Sequence, residues 1–469
     1  MFRPDTPLPT DIKTWAISQL HSKSPALGIK TKNSQIQEWP QSLQPNLEKR
    51  DAMFSLFKAN RKKENEGLDG QETPKAKQEN RRKNLMGETD ELKFSHRNVY
   101  GEDQLKLRFT SFWANHFTTG NIHDNQNHIG HAIDEAILAN LKGNFSQMLY
   151  KATSHPAMLV YLDNVWSAGE NSLYTKRQKS LGRQAGLNDN LGSELLELHT
   201  VSPSSKYNEN DIRNAAKVLA GWGVHTAFES KSELMKLGGT TNTWDFFKKD
   251  YAEPGGKVIL GKTISAGKGG LKEMTNFLAS HDHTIKYISS KLCQHFVSDK
   301  PSQADIDYVI SKWKQSKGDL EQIHAAVIER AIQSKEPKFQ WPMTWIFQVA
   351  RLSDATFFHG WNELWTYDEK LMDNNRIFEE IGQGFWHTRQ PNGYSSDKNE
   401  WVSGEMFERR IRFSDAIYTA GRPKVMSSEI MDRIGANEVT RKLVADSGSE
   451  KNKFIALMCS PELMGLENA

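Results

Sequence analysis

Two carboxylates and an imidazole stand within six residues in the segment Asn188-Asp189-Asn190-Leu191-Gly192-Ser193-Glu194-Leu195-Leu196-Glu197-Leu198-His199-Thr200. On a helix, Glu194 and Glu197 lie about 60° apart around the axis, while His199 points roughly 140° from Glu194. Leucines fill the angles between them, which predicts a helix apolar nearly all round and therefore buried. A buried carboxylate needs a cation, hydrogen bonds or a metal. Glu194 and Glu197 could share one ion or one arginine, and His199 could not join them on a regular helix. Pairing with Arg or Lys from neighbouring helices is the plainer reading. The sharper one is a divalent metal held by Glu194, Glu197 and His116, or His155, since facing helices build such oxygen and nitrogen sets. His116 shares an apolar face with Phe112 and Trp113, the usual place of a core histidine. His155, in Ser154-His155-Pro156, precedes a proline-led helix start and could cap it or point into a site.

Other motifs carry less. His123, His128 and His131 form a cluster that Glu135 could join on one helical face, but Asp124-Asn125-Gln126-Asn127 reads as a solvated helix start with an asparagine cap, so a surface cluster is favoured. Gly256-Lys-Val-Ile-Leu-Gly261-Lys262-Thr263 has the spelling of a phosphate-binding loop. The mechanism needs a strand, then a glycine-rich loop, then a helix. Here the strand-like residues sit inside the would-be loop, which argues against it. There is no Cys-x-x-Cys, no His-Glu-x-x-His and no Gly-x-Ser-x-Gly nucleophile elbow.

The elements that must position these residues are mostly helical. Apolar residues recur at three and four over Asp11 to Leu20, Leu105 to Phe117, Ile129 to Leu141, Phe145 to Ala152, Asn190 to His199 and Glu209 to Leu219. The pattern resumes at Leu271 to Ala279, Ile285 to Phe296, Ala304 to Trp313, Leu320 to Ile332 and Trp341 to Leu352. Lys257 to Leu260 is the best strand candidate. Residues 58–83 are almost all Lys, Arg, Glu, Gln and Asn and read as a solvated arm. The expected fold is all-α, a large irregular multi-helix domain with a few short strands at most. Its expected divisions are an N-terminal helical segment (1–57), the arm (58–90), a helical core with the polar motifs (91–300) and a helical, Trp-rich region packed on it (301–469).

Composition bounds the function. The chain has 469 residues, 37% hydrophobic and 10% aromatic, with 13 tryptophans, and its mean hydropathy is −0.67. That is polar, but too aromatic for a disordered chain. A net charge of +3, from 61 basic and 58 acidic residues, gives no global field for nucleic acid. Two cysteines, Cys293 and Cys459, exclude a disulfide framework and leave one bridge open. No run approaches a membrane span, and the N-terminus shows no hydrophobic signal region.

Several blocks together resemble the family known as domain of unknown function 1800. They are Phe112-Trp113-Ala114-Asn115-His116-Phe117, His155-Pro156-Ala157-Met158-Leu159 with Tyr161-Leu162-Asp163-Asn164, Glu194-Leu-Leu-Glu197-Leu-His199-Thr200, and Leu219-Ala220-Gly221-Trp222. Lys291-Leu292 with His295-Phe296-Val297, and Gly382-Gln383-Gly384-Phe385-Trp386 with Pro391-Asn392-Gly393-Tyr394, continue the register. The resemblance implies an all-helical, commonly exported bacterial protein, periplasmic or secreted, often encoded beside a sulfatase-like family, with no established reaction. It also implies that His116, His155, Glu194, Glu197 and His199 belong to a recurring polar set. Glu135, Asp163, Asn164, Asn188, Asn190 and Trp222 complete the candidate site. This chain is a divergent member. Family members usually carry Arg where Ser193 stands and His where Asn140 stands, and often a His-Asp pair where this chain has Ala252-Glu253.

Two functions follow as expectations. One is an enzyme-like pocket in the helical core, hydrolytic or oxidative, with a divalent metal as the cofactor it would take. The other is a non-catalytic exported binding or assembly protein, presenting Trp341, Trp345, Trp361, Trp365, Trp386 and Trp401, with Tyr367 and Tyr394, to a polysaccharide or a sulfatase-like partner.

Overall fold

The computed structural model describes residues 7–21, 28–30, 36–38, 44–53, 63, 66, 86–122, 125–224, 244–355, 378–388 and 390–467. The expected all-α architecture is what these residues form. α1 (Ile12–His21) is followed by a pair of antiparallel three-residue strands, β1 (Gly28–Lys30) and β2 (Ile36–Glu38). Next come α2 (Gly87–Tyr100) and α3 (Gln104–His116). α4 (Phe145–Ser154), α5 (Pro156–Tyr161), α6 (Leu173–Ser180), α7 (Asn190–Glu197) and α8 (Glu209–Leu219) continue the chain. A hairpin of β3 (Lys257–Ile259) and β4 (Lys262–Ile264) then leads to α9 (Gly269–Ser280), α10 (Asp282–Phe296), α11 (Gln303–Ser316), α12 (Leu320–Gln333) and α13 (Pro342–Ser353). The last helices are α14 (Gly404–Ala416), α15 (Ser427–Ile434), α16 (Glu438–Asp446), α17 (Glu450–Met458) and α18 (Pro461–Met464). Among the described residues no helix is long and apolar enough to cross a membrane.

Local chemistry explains where the elements stop. The hairpin turns at Leu260 and Gly261, both at positive φ (47° and 78°), the geometry of a tight two-residue connection. The Leu260 amide is held there by Asp211 Oδ1 at 2.7 Å. Residues 256–263 therefore make a hairpin and not the strand, loop and helix of a phosphate site. The helix expected over Ile129 to Leu141 is broken up: Ile129–His131 runs into a π turn (Ala132–Ile137) and a 3-10 turn (Leu138–Asn140). Asn140 Nδ2 donates to the carbonyls of Glu135 and Ala136, both at 3.0 Å, satisfying acceptors that the widened turn releases.

Two large hydrophobic clusters form the interior, with a small third one of Phe339, Trp341 and Trp401 beside them. One is built from α1, α3, α4, α5 and α7 to α12 around Phe109, Trp113, Phe145, Leu195, Leu292 and Val327. The other joins α13 to α18 with Leu92, Phe94, Val99 and Tyr100 of α2 and with Ile129 and Ile133. Ala114 of α3 packs against both, so α3 is the wall between them. Trp341, Trp345 and Trp401 are buried and Trp386 is half-buried. These rings are core, not an exposed platform; Trp361, Trp365 and Tyr367 lie outside the described residues.

Of the charged arm expected over 58–90, only residues 63, 66 and 86–90 are among those described, and the chain is helical from Gly87 onward. A buried ion pair fixes this helix: Arg50 donates to both oxygens of Asp90 at 2.6 and 3.0 Å. Gly130 makes room for it, because a Cβ there would meet the Asp90 side chain at 2.2 Å. Cys293 and Cys459 are both free thiols.

Candidate functional site

α7 is buried on one side only. Leu191, Leu195 and Leu196 are fully buried, each contributing about 1.5–3 kcal/mol, and Gly192 brings α7 against α8, where a Cβ would lie 2.8 Å from the Ala216 nitrogen. Glu194 and Glu197 stand on the other, half-buried side. That corrects the expectation of a helix apolar all round. Neither carboxylate has a cationic partner among the described residues. Glu197 Oε2 accepts the Tyr207 hydroxyl at 3.1 Å. Burial, and then the charge of Glu197, raises the pKa of Glu194. Three phenols surround the carboxylates. Tyr161 and Tyr207 are both pushed up to about 12, by burial first and then by Glu194 and by Glu197 respectively. Tyr287 is raised by burial and by Glu197.

His199 leaves the helix. The amides of Leu198 and His199 both bond the Glu194 carbonyl, at 2.9 and 3.0 Å, and the chain turns out of the helical path. The His199 ring swings into the core, 5.3 Å from Phe117 and 6.1 Å from His116 between centroids. Among the described residues neither ring nitrogen has a hydrogen-bond partner, and burial drives its pKa down to about 3.

His116 closes the last turn of α3, its ring parallel to Phe112 and edge-on to Trp113 and Phe117. Its Nε2 lies 3.2 Å from the His199 carbonyl oxygen and its Nδ1 lies 3.3 Å from Lys291 Nζ. A carbonyl only accepts, so Nε2 carries the proton and Nδ1 accepts from the ammonium. Burial, then Lys291, holds His116 well below its ordinary pKa. Lys291, from α10, also sits 5.3 Å above the Tyr287 ring. It has no carboxylate partner among the described residues, and burial pushes it down to about 8.

The metal set expected from Glu194, Glu197 and His116 is not assembled: both nitrogens of His116 are turned to other partners. Among the described residues no group of three His, Cys, Asp or Glu is placed to hold a metal ion.

The remaining candidates fall elsewhere. His155 resolves as a helix cap: its Nδ1 accepts the Ala157 amide at 3.0 Å, so its Nε2 donates to His131 Nδ1 at 3.1 Å. Burial lowers His131 to about 3. The same His155 lines a cavity with about 1070 Å³ of atom-free space, part of it open to solvent. The cavity is walled by α3, the 129–137 turns, α13 and residues 383–388. His128 pairs with Asp51 at 2.6 Å, and His123 lies outside the described residues. Glu135 is exposed. Asn164 donates to the carbonyls of Leu219 and Trp222 at 3.2 and 2.9 Å, clamping the end of α8, and Trp222 is buried between Tyr150 and Phe247. Asp163 takes a left-handed turn after α5. Asn188 accepts the amide of Asn190 at the start of α7, where Asn190 is exposed. Glu253 anchors Asn171 through both its amides, at 2.9 and 2.7 Å.

Sequence reasoning missed Lys291, Tyr287 and Tyr207 as site residues, and Arg108 on the cavity wall. Tyr287 and Lys291 are four apart on one helix, a spacing that was there to read. No curated protein matches the chain, and no solved structure does. A family model described as a protein of unknown function, DUF1800, matches residues 8–463, and the chain belongs to that family.

Proposed function

We propose that the chain is an enzyme-like acid–base protein whose working groups are Lys291 with His116 on one side and Glu194 with Glu197 on the other. The observation that carries this reading is the separation of opposite charges. Lys291, Glu194 and Glu197 have no ion-pair partners among the described residues, while Arg50 and Asp90 show that this chain pairs structural charges. Tyr287 lies against Lys291 and within the field of Glu197, so the groups border one surface. Near pH 7 roughly a tenth of an amine with a pKa of about 8 is neutral, and such an amine serves as a base. A carboxyl group that holds its proton higher than usual serves as an acid.

Hydrolysis of a neutral substrate is the reaction this set suits. The phenols of Tyr161, Tyr207 and Tyr287 favour a hydroxyl-rich one such as a polysaccharide. The family resemblance supports export from a bacterial cell as the setting. The test is turnover of neutral ester, amide and glycoside substrates by the protein and by Lys291→Met and Glu194→Gln. Activity lost in both variants with neither melting temperature lowered supports the reading. No turnover of any class, or turnover indifferent to both substitutions, overturns it.

A further inference from the structure

Arg108 projects from the wall helix α3 into the cavity between the two hydrophobic clusters. Gln104, Arg108, Ser111, Asn115 and Thr118 all line that cavity and follow one another at alternating steps of four and three, a single polar stripe. The others are committed to the protein. Gln104 donates to the Gly101 carbonyl at 2.9 Å and Ser111 to the Leu107 carbonyl at 3.0 Å. Thr118 bonds the Asn115 carbonyl, and Asn115 bonds the Tyr394 amide and carbonyl at 2.7 and 2.9 Å. Arg108 has no hydrogen bond, ion pair or ring contact among the described residues.

The four arginines buried among the described residues each have a structural occupation. Arg50 holds Asp90, Arg97 pairs with Asp134, Arg351 donates to the carbonyls of Val99 and Gly101, and Arg410 donates to the Gln340 carbonyl and lies over the rings of Phe339 and Trp345. Arg108 is half-buried on the wall of this partly open cavity, and a guanidinium withdrawn from water is unfavourable unless something pairs with it. Burial lowers its pKa only to about 10, so it is charged at neutral pH.

We infer that this cavity binds an aromatic monoanion, a carboxylate or sulfonate on a ring-bearing body, with the acid group on Arg108. A guanidinium fork matches a carboxylate with two parallel hydrogen bonds. Among the described residues one charge is available and not two: Lys338 is bound to Asp299, and His295 is held far below its ordinary pKa by burial and then by Arg108. The walls select the body of the ligand. Phe117, Phe347, Phe385 and Trp386 line the space and offer ring faces and edges for stacking. Arg108 stands eight residues, about 12 Å, from His116 along α3, so this site is separate from the acid–base groups.

The probes are 4-phenylbutyrate and 8-phenyloctanoate, each beside its neutral amide, titrated calorimetrically into the full chain. Each acid is expected to bind at least tenfold tighter than its amide, and Arg108→Met is expected to erase that preference. Thr344→Trp narrows the cavity and leaves Arg108 in place; it is expected to weaken acids and amides alike. Acids no tighter than amides in the unaltered chain overturn the inference, whether or not Arg108→Met folds. Binding indifferent to Thr344→Trp, or a preference lost in Lys291→Met and kept in Arg108→Met, overturns it as well.

Discussion

Lys291 of α10 donates its ammonium to Nδ1 of His116 of α3 across 3.3 Å, joining residues 175 apart in the chain. The contact settles which nitrogen of the imidazole is protonated, because Nε2 faces a carbonyl that can only accept. After burial, which acts first, it also keeps the histidine neutral, since a second positive charge at that distance is unfavourable. Among the described residues the lysine in turn gains no carboxylate to hold its proton.

That arrangement makes Lys291 costly to the fold. Its folded pKa, about 8, is below the ordinary lysine value, so the unfolded state binds the proton more tightly and stability is lost as pH falls toward 8. At pH 7 the deficit is fully present. Lys291→Met keeps the stem and removes the charge, and a gain of about 0.5–2 kcal/mol in urea melts at pH 7 is expected, the usual trade at a functional position. A loss of similar size would show that the ammonium supports the fold.

Six histidines, with His281 a seventh lowered by burial first, respond to acid in the same direction. His131, His199 and His324 have pKa values of about 3, and His116, His155 and His295 are well below the ordinary value, in every case through burial first. Each folded pKa lies below the unfolded value near 6.5. Their neutral forms are therefore compatible with the fold above pH ~6.5, and stability falls as pH drops from there toward 3. Each contributes about 1.4 kcal/mol per pH unit, so together they exhaust an ordinary margin of about 5–15 kcal/mol within roughly two units. Melting temperatures followed from pH 7.5 to 4.5 should collapse below pH 6. A flat profile over that range contradicts the burial of these rings.

The Arg50–Asp90 pair should behave as a structural one. Both side chains are almost fully buried, and Gly130 is shaped around the carboxylate. Asp90→Asn leaves the guanidinium unpaired inside the protein, and a loss of about 3–5 kcal/mol is expected in chemical denaturation. A loss under 1 kcal/mol would mean that water reaches Arg50.

The sequence made the helices legible because burial imposes a period. Glu209–Leu219 was read with its true bounds and nine further helices within a few residues, but α2, α6 and α14 to α18 had no individual reading. The π and 3-10 turns after His131 were not legible, because they follow from how Asn140 recaptures two carbonyls, a contact no periodicity encodes. Burial of α7 was overread for a related reason: leucines at most angles do not reveal that only one side meets α8. His116 and His199 do come together, but through the turn after Glu197, which a regular helix cannot anticipate. Lys291 escaped because a lysine between Tyr287 and His295 looks like a solvated residue until its neighbours are known. Arg108 left a trace in the polar stripe of α3, overshadowed by the stronger apolar face beside it.

The two carboxylates of α7 separate a structural from a functional role. Had Glu194 and Glu197 been held by buried cations, replacing either with glutamine would remove about 3–5 kcal/mol. No such cation is present among the described residues, and both side chains are half-buried, so changes within about 1 kcal/mol are expected. Glu194 has a folded pKa raised above its unfolded value by burial and by Glu197; it favours the fold below the unfolded carboxyl pKa and loses that advantage as pH rises through the folded one. At pH 7 Glu194→Gln should therefore be neutral or stabilising, and the difference from the unaltered chain should vanish near pH 4. Glu197→Gln keeps a carbonyl to accept the Tyr207 hydroxyl and removes the charge that raises Glu194, Tyr207 and Tyr287. Tyr207, pushed up to about 12 in the folded chain, should then titrate closer to an ordinary phenol in ultraviolet difference spectra. An unmoved Tyr207 titration would place the Glu197 charge away from that phenol, and a loss of several kcal/mol in either variant would return both carboxylates to a structural role.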